Sequence, residues 1–180
     1  MLAISRVRWK WSLPIAQLVF AVACHIYDTH AYRVRAYRDQ AVNNFEYYRQ
    51  NKPAWPVRLS SGINFPVLVL NYPFRAADNP VIYERNGEFT AVAFGLWDVE
   101  FFCGVVLLWY GVGRRLDGAT GGEHRTARLA GFVFGIATGA CALHMICSAR
   151  RPEVEIGTLG MGWALALTGY FAWRLAFDTN

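Results

Sequence analysis

Four side chains stand apart from the apolar sequence around them: His25, Asp98, Glu100 and His144. Imidazole and carboxylate are transition-metal ligands, and two imidazoles on neighbouring helices can hold haem b. A carboxylate at membrane depth costs about 3 kcal/mol, so it must face protein, water or a cation. Asp98 and Glu100 are two positions apart, about 200° around a helix, so a regular helix cannot aim both at one partner. Three readings compete for His25, His144, Asp98 and Glu100. The favoured one is a hydrogen-bond and ion-pair network that fixes helix register. The others are a transition-metal site and haem b held between His25 and His144. The H-x-x-D-x-H run from His25 to His30 suggests ligands but is not diagnostic.

Other chemistry has little support. The chain shows no Ser-His-Asp order, H-E-x-x-H, kinase set, Walker loop or C-x-x-C pair. Cys24, Cys103, Cys141 and Cys147 all lie in apolar stretches and read as small hydrophobes. A bridge between Cys24 and Cys147 is conceivable, since both lie at the outer ends of their stretches. No cofactor is predicted, and an enzyme is not the expectation.

The elements that must position these residues come from the distribution of charge. The chain has 180 residues, 54% hydrophobic and 17% charged, with net charge +5. Such a composition excludes a disordered chain. Lys and Arg, Arg174 excepted, are scattered over the connections and not gathered on one face, which argues against nucleic acid. Four charge-poor stretches, 11–27, 90–113, 129–148 and 156–177, approach the length of roughly 20 residues that crosses a bilayer. The expected fold is an all-α membrane protein: one domain, a four-transmembrane-helix bundle, with an external amphipathic helix and an irregular Pro-rich loop. Arg6, Arg8 and Lys10 before the first stretch, and Arg114, Arg115, Arg125 and Arg128 between the second and third, place both termini on the cytoplasmic side of the cell membrane. Trp9, Trp11, Trp97, Trp109 and Trp173 read as an interfacial belt. A cleaved signal sequence ending at Ala21-Val22-Ala23 is the rival reading of the N-terminus.

The loop 28–89 is then external. Val34, Tyr37, Ala41, Phe45 and Tyr48 form a helical stripe ending near Gln50, before Pro53 and Pro56. The run FPVLVLNYPF is too short to span, and is expected to lie against the outer interface or the helix tops. Ser61-Gly62 is a candidate hairpin turn.

Gly131, Gly135 and Gly139 fall four apart, so one helical face lacks side chains and another helix can approach closely. Gly160, Ala164 and Thr168 repeat that spacing in the last stretch. The two faces are expected to pack together; the alternative is a partner face. The leading functional expectation is a non-catalytic accessory or scaffold subunit of a membrane complex. Its partners would be lipids and another protein or a second copy. The competing class is a membrane redox protein using haem b or a transition metal.

Overall fold

A computed structural model describes residues 8–38, 55–71, 82–85, 88–92, 96–117, 125–147 and 151–177. Among the described residues are six helices and one small antiparallel hairpin. The long helices are α1 (Trp9–Arg38), α4 (Leu96–Leu116), α5 (Arg125–Cys147) and α6 (Arg151–Phe177). Two short helices, α2 (Trp55–Ile63) and α3 (Phe65–Asn71), meet at Asn64. Strands β1 (Ile82–Arg85) and β2 (Glu88–Val92) pair with Ile82 opposite Val92 and Arg85 opposite Glu88. By length and composition, one described helix, α5, is long and apolar enough to cross a membrane. The other long helices carry charge near their ends or, in α6, dilute their aliphatic residues with glycine.

The long helices form two antiparallel pairs, α1 with α4 and α5 with α6. In the first pair the Trp11 ring lies tilted against Tyr110, with ring centroids 5.6 Å apart, while His25 lies beside Phe102. The pair is tied at one end by Asp117, whose carboxylate accepts the Trp9 and Lys10 amides at 2.9 and 3.1 Å. Those amides belong to the first turn of α1, where no intrahelical acceptor exists. Asp117→Ala should therefore destabilise the protein by about 1 kcal/mol, as loss of an N-cap does. Chemical unfolding would measure it.

The second pair is the close approach expected from glycine spacing, except that Gly160 meets Phe65 of α3 and not α5. A side chain begun at Gly135 would lie 2.7 Å from Thr168 Oγ1 and 2.9 Å from the Thr168 amide nitrogen. Gly139 faces Ala164, and Gly157 faces the Ala142 carbonyl. The glycine face of α5 is thus occupied by α6.

Contact between the two pairs runs chiefly through the α2–α3 segment, which touches all four long helices. Small residues make the room. Gly160 admits the Phe65 ring, Gly104 admits Val67, and Gly62 lies against Leu159. Phe65 and Val67 are 1% and 2% exposed. A core of Ala21, Val67, Phe101 and Val105 joins α1, α3 and α4.

Three expectations are corrected here. The apolar run from Phe65 is no irregular cover: Phe65–Asn71 is helical, and Phe65, Pro66 and Val67 are buried. Pro66 fits because it falls in the first turn, where its missing amide costs nothing. Ser61-Gly62 closes no hairpin but lies inside α2. The second apolar stretch does not enter as helix at Thr90, which belongs to β2; the helix starts at Leu96. Thr90 and Val92 are β-branched and suit a strand, and Asn86-Gly87 is the sequence favoured between hairpin strands. Of the stripe expected over 34–50, α1 takes in the part up to Arg38. The remainder lies outside the described residues, as does 118–122.

Candidate functional site

The break at Asn64 carries a buried set of hydrogen bonds. Asn64 has no exposed surface. Its side-chain amide donates to the Ser60 carbonyl at 2.9 Å, and its Oδ1 accepts the Trp109 indole N–H at 2.8 Å. The Asn64 carbonyl receives the Val67 amide at 2.9 Å, which starts α3. One residue earlier, the Ile63 carbonyl accepts the Trp163 indole N–H at 2.7 Å. The two indoles meet edge to face, with centroids 5.8 Å apart. Ending α2 in the interior strands backbone groups that water cannot reach. Trp163 satisfies one of those backbone carbonyls and Trp109 the Asn64 side-chain oxygen, so that one indole from each helix pair holds the segment between the pairs.

Arg58 on α2 and Glu155 on α6 are joined by an ion pair at 2.7 Å. From that pair α2 runs inward past Leu159 to Trp163, and α3 returns past Gly160 and Gly104. The tip of the segment therefore lies level with the interior of α4 and α6, not with their ends.

Of the four residues singled out for chemistry, two meet. His25 Nδ1 lies 3.8 Å from Asp98 Oδ1, an ion pair when the imidazole is protonated. The Phe102 ring stands edge-on to the imidazole at 5.9 Å. Glu100, two residues after Asp98 and so on another face of α4, is half-buried, and His144 is exposed near the end of α5. Among the described residues, no group of three or more His, Cys, Asp or Glu is placed to hold a metal ion. All four cysteines are free thiols; Cys24 is buried and Cys147 exposed.

Sequence reasoning missed Asn64 and misread Trp109. The available signal was an amide side chain inside an apolar run, two residues before a proline. Trp109 was expected at an interface, yet its N–H is spent internally. Arg128, read as part of a connection, lies inside α5 and is 4% exposed. No family model matches this chain, and no curated protein or solved structure matches it.

Proposed function

We propose that this protein is a non-catalytic integral membrane component. In it α1, α4, α5 and α6 cross the bilayer, and α2–α3 is a re-entrant element held between them. One observation carries the reading: large apolar side chains cover the outward faces of the long helices, while polar side chains are buried inside beside the apolar core. Leu107 and Leu165 are 72% and 71% exposed, and Val19, Val133 and Ile136 are exposed as well. Asn64, Thr138, Ser60 and Arg128 are buried. So many exposed large apolar side chains on the long helices suit lipid as the surrounding solvent. A helix break at depth is tolerated in a bilayer only inside protein, which is where Asn64 lies.

The ends of the helices support the orientation. The start of α1, the end of α4 and the start of α5 bring Lys10, Arg114, Arg115, Arg125 and Arg128 to one end, and Arg174 reaches it from α6. This basic end is cytoplasmic under the positive-inside rule. The His25–Asp98 and Arg58–Glu155 pairs then lie toward the outer face.

The role within the membrane is that of an accessory or scaffold subunit. Phe65, Pro66 and Val67 fill the space between the helix pairs, and two indole hydrogen bonds lock it. A stiff, filled bundle presents fixed surfaces to a partner. Membranes washed with alkaline carbonate should retain the chain; recovery in the supernatant would overturn the membrane reading. In mild detergent it should migrate as part of a larger stoichiometric assembly. A monodisperse monomer would overturn the subunit reading alone.

A further inference from the structure

The exposed apolar surface of the bundle has a polar margin at each end, and the helical rise gives their separation. At the basic end the margin is Lys10 on α1, Arg114 on α4, Arg128 on α5 and Arg174 on α6. At the other end it is Asp28, Asp98, His144 and Glu155. Between the margins lie the exposed Val19, Leu107, Val133, Ile136 and Leu165. Sixteen residues separate the margins on α4 and on α5, eighteen on α1 and nineteen on α6. At 1.5 Å per residue the distances are about 24 Å for α4 and α5, about 27 Å for α1 and about 28 Å for α6. All four fall short of the roughly 30 Å hydrocarbon core of a typical bilayer.

We propose that this protein is fitted to a thin bilayer, so that the lipid covering its apolar surface carries short acyl chains. The inference rests on the membrane reading above. The shortest rods set the limit, because a carboxylate drawn into hydrocarbon is costly. A rod that is too long adapts by tilting; one that is too short must thin the bilayer around it or sink its charged ends. Each helix pair joins one short rod to one longer rod, α4 to α1 and α5 to α6. Neither pair can slide to spread its margins. Asp117 at one end and the His25–Asp98 pair at the other fix the register of α1 on α4. On the second pair, Gly135 against Thr168 and the bond from Arg128 to the Arg174 carbonyl do the same. That bond also turns the buried Arg128 toward α6, so it does not lengthen the apolar band by stretching toward the headgroups. Tilting of either pair shortens the band further.

The test reconstitutes the full chain in phosphatidylcholine vesicles of graded thickness: dimyristoleoyl, dipalmitoleoyl, dioleoyl, dieicosenoyl and dierucoyl. Flotation first shows whether the chain has entered each vesicle. Unfolding in urea is then followed by tryptophan fluorescence. The folded-to-unfolded ratio at one urea concentration should be highest in dimyristoleoyl or dipalmitoleoyl lipid. It should fall about tenfold by dierucoyl lipid, since mismatch costs a fraction of a kilocalorie per ångström. A maximum in dioleoyl or longer-chain lipid, or a ratio that does not change with chain length, overturns the fit to a thin bilayer. Failure to float with vesicles of any thickness sinks the membrane reading itself, and is seen before any unfolding is followed.

Discussion

Asn64→Leu is expected to destabilise the protein by about 2 kcal/mol, since it leaves the Trp109 indole N–H without its acceptor, while the Ser60 carbonyl keeps the backbone amide of residue 64. Leucine has similar bulk, so the loss reflects polar groups rather than a cavity. Trp109→Phe should also cost stability, by deleting the donor and part of the indole contact with Trp163. The double variant separates the two. With donor and acceptor both gone, no orphan remains, and the combined loss should fall short of the sum by at least about 1 kcal/mol. Denaturant unfolding in detergent reads all four corners of the cycle. Additive losses would show that the Asn64–Trp109 bond does not tie the helix pairs.

Gly135→Val should cost about 3 kcal/mol, at the upper end for overpacking. The group that the new side chain meets is the Thr168 backbone as well as its hydroxyl, and backbone cannot rotate away. Helix α6 must shift, carrying with it the contacts at Gly131 and Gly139. Gly162 and Gly169 on the same helix face open space. Gly169→Ala should be neutral or stabilising by up to roughly 1 kcal/mol, because alanine is the better helix former. A comparable loss at both positions would mean that helix propensity, and not the α5–α6 approach, governs these glycines.

The two predictions mark different degrees of legibility. Close packing of α5 on α6 was readable because a glycine every fourth residue has one geometric meaning on a helix. Asn64 had no such period. Its use depends on Trp109 and Trp163, which lie 45 and 100 residues away from their acceptors in the chain. The meeting of His25 with Asp98 was readable as a shared level on two antiparallel helices. Helix rotation then decided that Asp98, and not Glu100, faces the imidazole.

Composition and patterning alone determined a mainly helical chain, its apolar stretches, and which glycines would face a neighbouring helix. These follow from local periodicity and from the need to pair backbone groups within a helix. Only the tertiary structure decided that residues 55–71 enter the bundle instead of covering it. Short apolar runs satisfy burial equally well on a surface or in an interior. The choice fell to Gly62, Gly104 and Gly160, and to two indole donors that distant helices supply.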